Sequence, residues 1–141
     1  MKETTLVLIK PDAVRRGLVG RIIARLEDKG LSLSAARLLL MDEGMAREHY
    51  REHAERPFFP ELISFITSGP LLALAVTGPR AIAAVRSLAG DTDPLQATPG
   101  SLRGQFGLQV GQNIIHASDC KEAAERELAL FFQPEDIIHQ Q

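Results

Sequence analysis

The run "NIIHASD", Asn113–Asp119, sets a single histidine, His116, inside a short apolar stretch and ends in small polar residues. Isoleucine is β-branched and suits a pleated strand, so "NIIHAS" reads as a strand. Its partners lie upstream. "TLVLIK" (Thr5–Lys10) reads as a buried strand, stopped by Pro11, which lacks the donor that a ladder needs. "LSLSAARLLL" (Leu31–Leu40) alternates at its start, with Leu31, Leu33 and Ala35 on one face, and "PLLALAVTG" (Pro70–Gly78) makes a further strand.

Helical patterns separate these strands. In "GLVGRIIARLEDKG" (Gly17–Gly30), Val19, Ile22, Ile23 and Leu26 recur at helical spacing, and Gly30 suits the stop. A helical stretch covers roughly Glu43 to Ser68, broken near Pro57 and Pro60, and "PRAIAAVRSLAG" (Pro79–Gly90) is another helix. Asp91–Gln112 carries two prolines, four glycines and no sustained period, so it reads as a long loop, of the kind that is usually functional or disordered. After the last strand, Asp119 with Glu122 three residues on predicts a capping box for a final helix. The order is β-α-β-β-α-β with extra helices around the third strand. That is the α+β, ferredoxin-like arrangement of a four-stranded antiparallel sheet with helices packed on it. Such a fold serves many functions, so the site must decide.

The chain has 141 residues, and no linker or repeat divides it, so one domain over 1–141 is expected. Hydrophobic residues at 45% and charged residues at 24% describe a globular chain rather than a disordered one. A formal net charge of -2 argues against broad neutralisation of a nucleic-acid backbone, and no stable nucleic-acid partner is expected. No segment approaches the ~20 apolar residues of a membrane span, so no membrane partner is expected. The lone Cys120 cannot form an internal disulfide, and the N-terminal apolar run is too short for a signal peptide. A cytoplasmic setting is therefore expected.

Glu127 makes His116 less ordinary. Its neighbours three and four positions away in the final helix, Ala123, Ala124, Leu130 and Phe131, are all apolar, so this carboxylate belongs on or beside the buried stripe and needs a partner. His116 can supply one, directly or through the Ser118 hydroxyl. An imidazole bonded through one nitrogen keeps its other lone pair free as a nucleophile. The alternative is a His-Glu pair that only holds the fold. Lys10 at the end of the first strand, Arg86 in a helix and Arg103 in the long loop could join Thr92 and Asn113 in a polyphosphate clamp, or could be solvated surface charges.

Other signals are weaker. His49 and His53 in "EHYREH" are four residues apart, as two zinc ligands would be. The sequence lacks the glutamate of HExxH and no third ligand stands nearby, so the pair reads as a solvated helix face and no protein metal ligand is expected. In "RPFFPELISF" one of Phe58 and Phe59 can be core while the other lies exposed as a stacking platform, or both can be core. There is no Walker-type phosphate loop.

"IKPDAV" (Ile9–Val14), "HYREHAERPFFPELISFITSGP" (His49–Pro70), "PGSLRG" (Pro99–Gly104) and "NIIHASD" occur in an order and spacing that resemble the nucleoside diphosphate kinases, from about Thr4 to Phe132. The resemblance implies transfer of a terminal phosphate from a nucleoside triphosphate such as ATP to a nucleoside diphosphate such as GDP, through a phosphohistidine on Nδ1 of His116. It also implies that Lys10, Arg86, Thr92, Arg103 and Asn113 contact phosphates and ribose. Phe58 would stack on the base with Leu62 beside it, Tyr50 would line the site, and Ser118 and Glu127 would orient the histidine. Family members use Mg2+ held mainly by the nucleotide's own phosphates, and they assemble as hexamers or tetramers, of which the hexamer is the expectation here. Ala117, Gln105 and the "SL" of "PGSLRG" depart from the usual glycine, aspartate and "TI", and none removes a group with a chemical role.

Two other classes share the element order but fit the residues less well. An RNA-recognition module needs aromatics on its central strands, and "PLLALAVTG" and "NIIHAS" have none. A nucleotide-sensing or scaffold role would not need His116 and its supporting residues.

Overall fold

Alternation along the strand Lys2–Ile9 (β1) builds two cores. Leu6 and Leu8 point to one side of the sheet, Val7 and Ile9 to the other, and all four are fully buried. The computed structural model describes residues 2–139. Met1, Gln140 and Gln141, at the ends of the expected 1–141 domain, lie outside the described residues.

After β1 come the helices Pro11–Arg15 (α1) and Val19–Asp28 (α2), the strand Ser32–Leu39 (β2), and the helices Glu43–His49 (α3) and Phe59–Ile66 (α4). The strand Leu71–Pro79 (β3), the helices Ala81–Ala89 (α5) and Leu102–Phe106 (α6), the strand Ile115–Ala117 (β4) and the helix Lys121–Phe131 (α7) complete the order. Short 3-10 turns follow α3 and α7, at Arg51–His53 and Pro134–Asp136. The four strands form one antiparallel sheet in the order β2-β3-β1-β4, the ferredoxin-like order expected.

One face of the sheet packs Val7, Ile9, Leu74 and Val76 against Ile22, Leu26 and Val85 of α2 and α5. The other packs Leu6, Leu8 and Ala73 against Phe59, Ile63, Leu128 and Phe131 of α4 and α7. Helices thus cover both faces, and β4 inherits the division. Ile115 and Ala117 belong to the α2/α5 core, while His116, paired with Leu8, faces the α7 side. A three-residue strand therefore places one histidine where the closing helix can reach it.

Four local expectations change. The proline-led helix α1 directly follows Lys10, because proline is favoured at the first position of a helix. The long loop contains α6, capped by the Ser101 hydroxyl accepting from the Gly104 N–H at 3.1 Å. The last helix is capped not by Asp119 but by Cys120, whose backbone is extended and whose Sγ accepts from the Ala123 N–H. Lastly, His49 is not on a solvated face. Ala46, His49 and Tyr50 share one side of α3 and are all buried.

Candidate active site

A cleft of about 790 Å³ opens where the end of β1, α6, β4 and α7 meet the α3–α4 hairpin. Lys10, Tyr50, Phe58, Leu62, Arg86, Thr92, Arg103, Asn113, His116 and Glu127 all line it. Ser118, the remaining residue singled out from sequence, lies behind the wall and reaches the cleft through Glu127.

At the floor, Nε2 of His116 and Oε1 of Glu127 are 2.7 Å apart, and the Ser118 hydroxyl donates to the same oxygen at 2.7 Å. Hydrogen bonds and the charge of His116, with Ser118, outweigh burial and hold the Glu127 carboxyl down at about 2, so it is ionised. An ionised carboxylate only accepts, so Nε2 carries the proton and Nδ1 keeps the lone pair. Burial lowers the His116 pKa against the upward pull of Glu127, which favours the neutral ring at neutral pH. The ring keeps 21% of its side-chain surface exposed.

The turn before β4 is under tension. Ile114 has a φ of 79°, a region that a β-branched residue rarely adopts, and the Ile115 N–H closes a three-residue turn onto the Asn113 carbonyl at 2.8 Å. Such a conformation costs ~1–3 kcal/mol and persists only where the surroundings enforce it. Here the Ile114 N–H donates to Asp12 Oδ2 at 3.1 Å, and its carbonyl accepts from the Lys10 N–H at 2.9 Å. Asp12 was not legible as a site residue, because its partner lies 102 positions away.

Cations crowd the opposite wall. Lys10 Nζ donates to Asn113 Oδ1 at 2.7 Å, and Asn113 Nδ2 donates to the Thr92 carbonyl at 3.0 Å. Arg103 is buried and donates to the carbonyls of Gly90, Ile115 and Asn113 at 2.8, 2.7 and 3.3 Å. Arg86 donates to the Ala117 carbonyl at 3.2 Å. Burial, then the neighbouring Arg103, lowers Lys10 to about 8, and burial, then Arg86, lowers Arg103 to about 10. Positive charges held away from water and close together form a ready receptor for a polyanion.

A wall of rings leads outward from His116. His49 stands edge-on to it, with centroids 4.7 Å apart, and Tyr50 follows at 4.5 Å from His49. His53 lies between Tyr50 and Phe58, at 6.3 and 5.6 Å. Phe58 is 48% exposed while Phe59 is core, so only the first offers a free face. The hydroxyl of Tyr50 and both nitrogens of His49 are buried without hydrogen-bond partners. Sequence reading missed His49 here, although its spacing from Ala46 and adjacency to Tyr50 carried the signal.

An imidazole with one free ring nitrogen, beside a cationic cleft that also carries an exposed ring, suits a nucleotide-dependent phosphotransferase. Comparison with known proteins agrees. Residues 3–137 match the family described as nucleoside diphosphate kinase. A nucleoside diphosphate kinase of Rhodococcus erythropolis is 60% identical over 133 residues, covering 94% of this chain and 96% of that one. One from Archaeoglobus fulgidus is 52% identical over 137 residues, covering 97% and 91%. Among solved structures, the halophilic nucleoside diphosphate kinase from Halobacterium salinarum in complex with CDP superposes with a TM-score of 0.97 at 46% identity, covering 100% of this chain and 94% of that one. The Aquifex aeolicus enzyme gives 0.95 at 40% identity, covering 98% and 100%. This chain belongs to the nucleoside diphosphate kinase family and is a phosphotransferase of that kind.

Proposed function

We propose that His116 carries the phosphate between nucleotides in a two-stage, ping-pong exchange, and that residues 1–141 act as one catalytic domain. Nδ1 attacks the γ-phosphorus of a nucleoside triphosphate such as ATP in line. An N–P bond forms as the bond to the β-γ bridging oxygen breaks, and the diphosphate leaves with the electron pair. A second nucleotide, such as GDP, enters the same cleft. Its terminal β-phosphate oxygen attacks the phosphorus and the N–P bond returns its electrons to the imidazole.

Lys10, Arg86 and Arg103 face the developing charge on the phosphate oxygens, with Thr92 and Asn113 adding neutral contacts. Phe58 stacks on the base and Leu62 flanks it, and stacking tolerates every base because each has a π face. Tyr50 lines the site beyond His49, which packs against the nucleophile, and Ser118 and Glu127 hold its tautomer. The single observation that carries this reading is the bond between Nε2 and Glu127, which leaves Nδ1 for the cleft.

The cleft also fits Mg2+ carried on the nucleotide. Its basic groups suit phosphates that bear the ion. When bound, the ion neutralises charge on the phosphates. We propose a homo-hexamer rather than a tetramer, and in either assembly Leu95 and Leu108, 71% and 74% exposed, give the 91–112 segment apolar side chains to bury against another copy. A cytoplasmic setting suits the lone Cys120, and no helix among the described residues is long and apolar enough to cross a membrane.

The test is direct. Protein mixed with magnesium and γ-labelled ATP, without acceptor, takes up an acid-labile, base-stable label that GDP discharges. Folded protein that takes up no label overturns the reading. Light scattering distinguishes hexamer from tetramer.

A further inference from the structure

Arg103 reaches the cleft from α6, a helix of only five residues. So short a helix has little stability of its own, and its position depends on what pins it. The inner side is held by Arg103 itself, through the carbonyls of Gly90, Asn113 and Ile115. Close packing adds to this, since a Cβ at Gly104 would collide with the Thr98 carbonyl.

The outer side is held by two arginines, Arg16 just after α1 and Arg25 within α2. Arg25 of α2 donates through Nη2 to the Gly100 carbonyl at 2.6 Å, just ahead of α6, and through Nη1 to Gln105 Oε1 at 3.1 Å, near its end. Arg16 donates to the Phe106 carbonyl at 2.7 Å. Neither arginine lines the cleft.

We infer that Arg25, with Gln105 as its side-chain partner, is a positioning residue for nucleotide binding, acting through α6 and Arg103. Arg25 grips both ends of α6 and thereby sets where Arg103 meets the carbonyls on either side of the strained Ile114. The Arg25 guanidinium makes this bond charge-assisted, and Gln105 offers it a neutral acceptor where a carboxylate would add a full ion pair. The inference rests on the reading of Arg103 as a phosphate-gripping residue.

With the clamp loosened, bound nucleotide must itself order α6, drawing on its binding free energy. The cost falls on KM, and saturating substrate restores the arrangement and with it kcat. Steady-state kinetics with ATP and GDP on the full chain tests this. Arg25→Ala raises KM for GDP by about 3- to 10-fold with kcat within about twofold, and Arg25→Lys, whose compact ammonium lacks the fork that spans both acceptors, falls between. Gln105→Leu, at an exposed position, removes only one of the two Arg25 contacts and raises KM less, and the double variant Arg25→Ala/Gln105→Leu matches Arg25→Ala because that change already removes the contact to Gln105.

Unchanged KM in folded Arg25→Ala or Gln105→Leu, additive effects in the double variant, or a lower melting temperature without any change in KM would overturn the clamp. The outcomes separate from those of the parent reading. Label on His116 with unchanged KM removes the clamp alone, whereas absence of label in the unaltered protein removes the phosphohistidine.

Discussion

Nε2 of His116 and Oε1 of Glu127 stand 2.7 Å apart, and that oxygen also accepts from Ser118. One carboxylate oxygen therefore fixes both the tautomer and the direction of the ring. Glu127→Gln keeps an acceptor but loses the charge and can present an N–H instead. Groups that orient a working histidine typically matter by about 10- to 100-fold. We expect phosphorylation of His116 to slow about 10-fold in Glu127→Gln and more in Glu127→Ala, measured by single-turnover quench. Rates equal to the unaltered protein would assign Glu127 to the fold alone.

The pH profile of kcat/KM should have an alkaline limb near pH 8. Lys10 is lowered to about 8 by burial and then by Arg103, so its charge is complete below that pH and lost above it. Because kcat/KM reports the free enzyme, bound phosphate does not mask this group. Lys10→Arg stays charged, and its profile should lose the limb even if its rate is lower. On the acid side, His116 has a pKa below its usual value, so its neutral form persists through neutrality and activity declines only as the ring protonates.

Stability should decline in mild acid because of His49. Burial, with the neighbouring His116 charge, lowers it to about 3 from 6.5. Below pH 6.5 the unfolded chain binds a proton that the folded chain refuses until about pH 3. Stability is therefore whole above 6.5 and falls by up to ~1.4 kcal/mol per unit as pH drops through that window. Glu127, at about 2 in the fold against 4.5, adds a loss in the same direction only below 4.5. Urea unfolding at a series of pH values measures the slope, and His49→Phe should flatten the part between 6.5 and 4.5.

Phe58 and Phe59 are adjacent yet should behave oppositely. Phe58 is 48% exposed at the mouth of the cleft, so Phe58→Ala should leave the melting temperature nearly unchanged. It should weaken nucleotide binding by ~1–3 kcal/mol, to a similar degree for each base. Phe59 is 6% exposed in the α4 core, and Phe59→Ala should cost ~3–5 kcal/mol of stability. Calorimetry for binding and thermal unfolding for stability check the pair.

How much of this was legible beforehand follows from the range of each signal. The apolar run in "TLVLIK", the alternation at the start of "LSLSAARLLL" and the helical spacing in "GLVGRIIARLEDKG" act within a few residues, and they were enough to derive the order of elements along the chain, whereas the packing of helices on both faces of the sheet emerged only in the structure. Glu127 was legible for the same reason, as an acidic residue among apolar neighbours three and four positions away. The capping box was misread at Asp119 because Ser, Asp and Cys compete within a span of three residues, and backbone geometry chose Cys120.

By itself the sequence determined the strands and helices, the apolar faces, and the residue types available for phosphate chemistry, since periodicity and propensity are local properties. Tertiary structure alone decided which of them meet. Lys10 and Asn113 are 103 positions apart and bond only because β1 and β4 pair in one register. The same packing forces Ile114 into a left-handed turn against Asp12 and buries His49 against His116, since strain and desolvation arise only when distant surfaces close on one another.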